Sequence, residues 1–271
     1  MNIFDRYYKT IKHYKEKSIF RPENLLREAR RQKQIEYCHV PEICILDPDG
    51  DIIRYLRKKR LLRHSRHWAC YHTELYNFEY KDLKFGVIGC VVGAPFAVLV
   101  AEELFVSGCS LLISITSAGS IAPSNTKNRF ILIEKAIRDE GTSSHYIEPS
   151  PYSSINKRLL TRIRGSIPDI ETATTWTTDG PFRETKSAIM LARKKGAVAV
   201  EMESSALYAF AEARKRKVIC IAHITNSMGQ TANDFEKGPE NGSIDALEIM
   251  YSITQALYNG KRRRLPRRKS T

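Results

Sequence analysis

The chain has 271 residues, of which 42% are hydrophobic, and a formal net charge of +14. This length suits one large α/β domain or two small ones, and the apolar share is sufficient for a sizeable core. No apolar run reaches membrane-spanning length, and the N-terminal segment lacks the apolar core of a signal peptide, so we expect a cytoplasmic protein without membrane contact. Six scattered cysteines without a CxxC pair indicate reduced, buried thiols.

The predicted elements begin with a helical N-terminal lead-in over residues 1–39, in which a helix starts near Pro22. Residues 40–259 then alternate predicted strands with helices, and a final helix is predicted for Ile244–Tyr258. The strands are ICIL, KFGVIGCVV, LLISIT, RFILIEKAI, ATTWTT, AVAV and KVICIAHIT. This alternation predicts a single α/β domain with a mixed, mostly parallel central sheet flanked by helices.

Residues 260–271 form a basic tail that holds seven of the chain's Lys and Arg residues. A terminal run of like charge is typical of a solvated, disordered segment, which is the interpretation we favour. The alternative is an electrostatic contact with nucleic acid or anionic lipid, and we retain a weak nucleic-acid contact as a prediction.

One segment, AVAVEMESSALYAFAEARKR, carries the clearest chemical signal. Its apolar start predicts a buried strand that places Glu201, Met202 and Glu203 at the edge of the sheet, where a helix begins and where ligands of α/β sheets bind. A carboxylate there would accept two hydrogen bonds from a vicinal diol such as that of a ribose. The alternative is that both acids only cap the helix that follows.

This segment resembles the E-M-E signature of the nucleoside phosphorylase family, which includes uridine phosphorylases and hexameric purine nucleoside phosphorylases. The resemblance implies that Glu203 holds the ribose hydroxyls, that Met202 packs against the sugar and that Glu201 has a smaller part. The likeness extends from about residue 40 to 258 and therefore implies the fold of that family.

The segment VVGAPFAVLVAEELFVSGCSLLISITSAGS also follows the uridine phosphorylase pattern. The resemblance places Ser117 at the phosphate-binding hydroxyl, and Ser117 and Gly119 lie in a turn whose backbone N–H groups suit an anion. Gly50 and Ser114 stand where the family pattern has phosphate-binding arginines. Arg66 matches the arginine that a neighbouring subunit lends to the site, so we expect a homo-oligomer.

Several basic residues could replace the two lost arginines, although each is more simply explained as a surface or packing residue. They are His64, His67, His72 and Arg138.

The base would be recognised by two further segments. Residues 179–185, DGPFRET, resemble a motif of trimeric purine nucleoside phosphorylases, in which Glu184 would accept from the ring N1–H. Asn226 matches their base-binding asparagine and would contact N7 and O6 of a 6-oxopurine. Phe182 is suited to stack on the base, and Asp179 and Arg183 lie beside it as further substrate-binding candidates.

These patterns predict a nucleoside phosphorylase, with Glu203 and Asn226 as catalytic residues, a preference for 6-oxopurine nucleosides and uridine as the alternative substrate. Inorganic phosphate would be the co-substrate, and no other cofactor and no metal is expected, because HExxH and zinc-like Cys/His spacings are absent from the sequence. Two alternatives stay open. One is a nucleosidase that uses water, as the missing arginines suggest, and the other is a non-catalytic nucleoside-sensing module.

Overall fold

The structure is a computed structural model that describes residues 13–122, 130–167, 170–228 and 232–262, with side chains through 258. Residues 1–12 of the predicted lead-in and 263–271 of the predicted tail lie outside the described residues. The helices are α1 (Pro22–Lys33), α2 (Asp51–Lys58), α3 (Ala94–Val106), α4 (Lys157–Ile163), α5 (Lys186–Lys194), α6 (Ser204–Arg214) and α7 (Ser243–Arg262). The strands are β1 (Ile43–Asp47), β2 (Arg63–His64), β3 (Tyr76–Tyr80), β4 (Leu83–Gly89), β5 (Leu111–Ser120), β6 (Phe130–Asp139), β7 (Tyr152–Ser154), β8 (Glu171–Thr178), β9 (Ala197–Glu201) and β10 (Val218–Asn226).

The described strands form one mixed sheet flanked by helices, which confirms the predicted α/β fold. The strand order is β10-β6-β8-β9-β5-β1-β4-β3-β2, and β7 pairs with β6. The central strands β4, β1, β5 and β10 run parallel, whereas β2, β3, β6 and β9 add antiparallel pairings. All five residues of β1 are buried, because a parallel strand with neighbours on both sides is covered on both faces.

One end of the sheet closes into a ring, which the sequence did not predict. β10 pairs with β5 as well as with β6, and β9 joins β8 to β5, so that β5, β10, β6, β8 and β9 form a closed circuit. β5 also continues through Ser120, whereas the sequence predicted a turn after Thr116. The extra residues stay in the strand because Gly119 and Ser120 pair with β9.

The flanking helices complete the core. α3 is apolar on nearly all sides because it packs between α1 and α6. α1 begins at Pro22, as predicted, and buries Leu26 and Ala29. α7 continues through Arg262, so the first residues of the predicted tail are helical. No described helix is both long enough and apolar enough to cross a bilayer.

The cysteines only partly follow the prediction of buried thiols. All six are unpaired, and four of them are buried, but Cys38 and Cys90 are exposed. Cys38 lies in the segment before β1 and Cys90 directly after β4, so both occupy connections rather than strand interiors.

Candidate active site

Glu203 lies at the junction between β9 and α6, where the sequence places it. It is the N-cap residue of α6 and its side chain is only 1% exposed. One carboxyl oxygen, Oε1, accepts a hydrogen bond of 2.7 Å from the Gly93 N–H, and Oε2 accepts one of 2.8 Å from the Thr116 hydroxyl. These bonds connect the loop after β4 with the end of β5, and Met202 lies half-buried beside them.

Burial raises the pKa of Glu203 to about 8, and the charge of Glu201 adds to the increase. The hydrogen bonds from Gly93 and Thr116 act in the opposite direction but do not cancel the effect. The carboxyl group therefore keeps its proton near neutral pH. Acids with a strongly shifted pKa are candidates for function, because catalytic groups need pKa values that match their task.

Gly93 opens space next to this carboxyl group. Its φ of 92° and ψ of 148° are accessible to glycine and strained for other residues. A Cβ added at Gly93 would meet no atom within 4 Å. Open space therefore lies on the Cβ side of Gly93, whose N–H donates to the Glu203 carboxyl, while the carboxyl itself is buried.

Glu201 serves a different purpose from Glu203. Its Oε1 accepts hydrogen bonds from the Thr175 and Thr177 hydroxyls, and its Oε2 accepts the backbone N–H groups of Glu203 and Ser204. These four bonds use both oxygens, and the two from the backbone cap the N-terminus of α6. This geometry gives Glu201 a positioning role, so helix capping, the alternative considered for both acids, describes Glu201, and its smaller part in binding the substrate stays a prediction.

Ser117 lies on β5 opposite His223 of β10. Its backbone N–H, which the sequence assigns to phosphate, donates a hydrogen bond of 2.9 Å to Asp49 Oδ2. A carboxylate of the chain therefore occupies one donor of the predicted anion site. This contact is the main difference between the expected site and the structure.

Asp49 belongs to the loop between β1 and α2 and is flanked by two further aspartates, Asp47 at the end of β1 and Asp51 at the start of α2. Asp51 accepts hydrogen bonds from Lys237, Arg54 and Asn241, and the two cations among them, Lys237 and Arg54, keep its pKa below the ordinary value despite its burial. Lys237 also lies 3.7 Å from Asp49 Oδ2.

Asp47, the last residue of β1, is buried and accepts a hydrogen bond from the Ile53 N–H. Its burial raises its pKa to about 7, with smaller contributions from the charges of Asp49 and Asp51. Three aspartates therefore surround the place where the family pattern has an arginine, with Lys237 and Arg54 paired to Asp51.

Asn226, the last residue of β10, lies against Gly119 of β5. Its Oδ1 accepts a 2.8 Å hydrogen bond from the Met228 N–H, and its Nδ2 donates to the Thr225 hydroxyl. A Cβ on Gly119 would lie 3.1 Å from Asn226 Oδ1 and 2.9 Å from Met228 Sδ. In the structure Gly119 therefore permits the close approach of Asn226, and the role that the sequence gave it toward phosphate stays a prediction.

The predicted base-binding segment follows β8. Asp179 accepts a hydrogen bond from the Gly141 N–H, which ties this segment to the loop after β6. Glu184 is half-buried, and this burial raises its pKa to about 7. Phe182 is 98% exposed and Arg183 is exposed, so neither packs on the other site residues within the described chain.

Arg66 is exposed and follows β2, the last strand of the sheet. Four strand steps separate β2 from β5, which is roughly 19 Å at a spacing of about 4.8 Å. An arginine side chain does not bridge that distance, so from this edge of the sheet Arg66 does not reach Ser117 of its own chain.

The remaining basic candidates do not gather at Ser117. Arg138 donates to the Ser143 hydroxyl, the Ser150 hydroxyl and the Glu148 carbonyl, so it fastens the loop after β6. The three histidine candidates are exposed and lie between α2 and β3; they are His64, His67 and His72.

Sequence reasoning missed four residues that shape the site. Gly93 and Thr116 hold the Glu203 carboxyl, while Asp49 and Lys237 face the turn at Ser117. The glycine and the aspartate had a visible signal in the GAP and DPDGD phrases. In the sequence, GAP predicts the start of a helix and DPDGD predicts a turn, and neither phrase by itself indicates a contact with the other site residues.

Comparison with known proteins gives a consistent family. A model of the Phosphorylase superfamily matches residues 42–254. The uncharacterized protein R802 of Acanthamoeba polyphaga mimivirus is 32% identical over 136 residues, which cover 49% of this chain and 53% of the viral protein. The chain thus spans about half the length of this relative.

Two solved structures have a similar fold. Uridine phosphorylase from Vibrio fischeri ES114 superposes with a TM-score of 0.66 at 19% identity, over 84% of this chain and 99% of that enzyme. AMP nucleosidase from Bacteroides thetaiotaomicron superposes with a TM-score of 0.68 at 18% identity, over 89% of this chain and 99% of that enzyme. At these identities the likeness shows the fold alone, and it does not choose between the two reaction types.

Proposed function

The chain belongs to the phosphorylase superfamily, and on that premise we propose that it cleaves the N-glycosidic bond between the pentose and the base of a nucleoside. The observation that carries the proposal is the buried Glu203 carboxyl group, which has a raised pKa and accepts the N–H of Gly93, a glycine with open space on its Cβ side. A pentose diol in that space would donate to both carboxylate oxygens. Because such bonds are strongest when the acid is ionised, sugar binding would favour loss of its proton.

Cleavage of the glycosidic bond passes through a cation-like sugar. An ionised Glu203 would stabilise that charge, and Asn226 would stabilise the departing base by hydrogen bonding. Half-buried Glu184, with its raised pKa, would accept from a purine N1–H. These two residues support a 6-oxopurine nucleoside as the preferred substrate, with uridine as the alternative.

The acceptor of the sugar has two candidates. Phosphate bound at Ser117 and Gly119 is the acceptor that the resemblance to phosphorylases implies, and the reaction would then yield a pentose 1-phosphate. Water is favoured by a specific observation, namely that Asp49 already accepts the Ser117 N–H. The products would then be the free pentose and the base.

A role for Arg66 in phosphate binding requires a partner subunit, because it lies at the far edge of the sheet. A homo-oligomer is therefore part of the phosphorylase proposal, and light scattering tests it. The cytoplasmic location and the nucleic-acid contact of the tail stay predictions.

The test of the proposed function is a turnover assay with inosine, guanosine and uridine, each with and without phosphate. We expect base release by the wild type, strong loss in Glu203→Gln, and no change in Glu212→Gln, which alters an exposed acid of the same helix. Nucleoside binding without any turnover would instead identify a sensing module. Failure both to bind and to cleave any of the three nucleosides would contradict the proposal.

A further inference from the structure

Glu203 and Asp49 accept hydrogen bonds from consecutive residues of β5. Glu203 accepts the hydroxyl of Thr116, and Asp49 accepts the backbone N–H of Ser117. The charge of Asp49 contributes to the raised pKa of Glu203, as expected for neighbouring carboxyl groups. A sugar held by Glu203 would therefore have Asp49 close by, on the side where the resemblance places the attacking phosphate.

A small cavity of about 20 Å³ lies under the same loop. Its polar lining includes Asp49, Ser117, His223 and Ser243. One water needs roughly 10–15 Å³ and two to four polar partners, and this cavity provides both. The Ser243 hydroxyl is only 1% exposed and has no hydrogen-bond partner within the described part of the chain, so it points independently to a polar occupant.

The carboxylates around this loop disfavour phosphate at the same place. Asp47, Asp49 and Asp51 line the cavity together, and the cations Lys237 and Arg54 both hydrogen-bond Asp51, with Lys237 also 3.7 Å from Asp49 Oδ2. A phosphate dianion at the Ser117 N–H would have to displace the Asp49 carboxylate and then face its neighbours. A neutral water molecule meets no such repulsion and finds acceptors for its protons.

We propose that the acceptor of the pentose is water and that Asp49 is the general base that activates it. This inference rests on the proposed cleavage of nucleosides. As the water oxygen bonds to C1′, its proton passes to Asp49, and the C1′–N bond breaks with its electron pair leaving on the base nitrogen. That nitrogen takes a proton from solvent and Asp49 returns one to solvent, so that nucleoside and water give free pentose and base.

The first experiment needs no variant. Purified wild-type protein is incubated with inosine, guanosine and uridine over a range of phosphate concentrations from zero, and free pentose is separated from pentose 1-phosphate. We expect free pentose at a rate that phosphate does not raise. A reaction that requires phosphate and yields only pentose 1-phosphate would overturn this inference and leave the proposed cleavage standing, whereas no cleavage under any condition would overturn both.

The second experiment tests whether Asp49 is the general base. Asp49→Asn should lower kcat by roughly 10²–10⁴-fold with little change in KM, since it removes the proton acceptor and keeps the shape. Asp82→Asn, an exposed carboxylate in the turn between β3 and β4, is the matched control. Asp49→Ala should regain turnover in sodium azide as pentosyl azide, because azide attacks without a base. Phosphate-independent turnover that Asp49→Asn leaves within about threefold of wild type would overturn the role of Asp49.

Discussion

The two halves of the candidate site differ in how closely they follow the family pattern. In the half built by β9 and α6, Glu203 occupies the expected place and its carboxyl group accepts the N–H of Gly93, beside which there is open space. In the half built by the loop after β1, Gly50 stands where an arginine is expected and Asp49 occupies the Ser117 N–H. On the proposed function, the half that would hold the pentose follows the family pattern, and the half that would hold its acceptor departs from it.

The largest expected effect lies in the first half. Glu203→Gln should lower kcat/KM by about 10³-fold, because a neutral amide does not stabilise a cation-like sugar as a carboxylate does. Steady-state kinetics with the most active nucleoside measure it. The thermal stability should hold or increase, since the variant removes a buried acid that ionises as the pH rises.

The matched comparison for Glu203→Gln is Glu201→Gln, which changes the acid two residues earlier in the chain. Its carboxylate accepts four internal hydrogen bonds, so we expect a loss of about 2–4 kcal/mol in the free energy of unfolding. Urea denaturation measures this loss. An equal loss of stability in Glu203→Gln would make both acids structural and would remove the distinction between them.

A smaller effect concerns recognition of the nucleobase. Glu184→Gln should lower the kcat/KM for inosine relative to that for uridine by about 10- to 100-fold, because a charged hydrogen bond to the purine N1–H is lost. Glu171→Gln, an exposed acid on β8, is the control. An unchanged ratio would place purine recognition elsewhere.

The pH dependence of the free energy of unfolding gives a further test of Glu203. Its pKa of about 8 lies above the ordinary value of 4.5, so the folded protein holds a proton that the unfolded chain has released between these pH values. The contribution of Glu203 to stability therefore falls as the pH rises from about 4.5 to 8. Asp47 acts in the same direction, so the difference between wild type and Glu203→Gln isolates the effect.

Nucleoside affinity should rise with pH, whereas the contribution of Glu203 to stability falls with pH. If the diol binds the ionised form, affinity rises with pH up to about 8, by at most tenfold per pH unit, and then levels off. Isothermal titration calorimetry in two buffers of different ionisation enthalpy would detect the released proton. A flat pH profile for wild type would mean that the sugar does not contact this carboxyl group.

The smallest effect is expected at the edge of the sheet. Arg66→Ala should change hydrolysis by no more than about threefold, because a water acceptor needs no cation from a partner subunit. A large loss confined to reactions with phosphate would instead support phosphorolysis. It would also support the oligomer that Arg66 requires.

The fold was largely predictable because its strands are apolar runs of the right length between turn residues. The β2–β3 hairpin was missed, since Arg63–His64 is short, polar and exposed. Ring closure was missed because it depends on which strands β5 and β10 meet, and alternation of elements carries no such information. These misses concern pairing between distant segments rather than local structure.

The position of a candidate acid was predictable where that acid directly follows a strand. The EMES segment located Glu203, but the spacing of two residues did not reveal that Glu201 turns inward while Glu203 faces the Gly93 loop. The DPDGD segment was interpreted as a turn, and turn composition alone does not tell which of its carboxylates reaches Ser117. The hydrogen bond from the Ser117 N–H, far away in the sequence, shows that Asp49 is the carboxylate that reaches Ser117.

The most direct measurement is a crystal structure of the protein with a bound, uncleaved nucleoside. We expect the 2′- and 3′-hydroxyl oxygens of the sugar at about 2.6–3.2 Å from the Glu203 carboxyl oxygens. A sugar bound elsewhere, with Glu203 still paired only with Gly93 and Thr116, would contradict the assignment of this acid to the pentose.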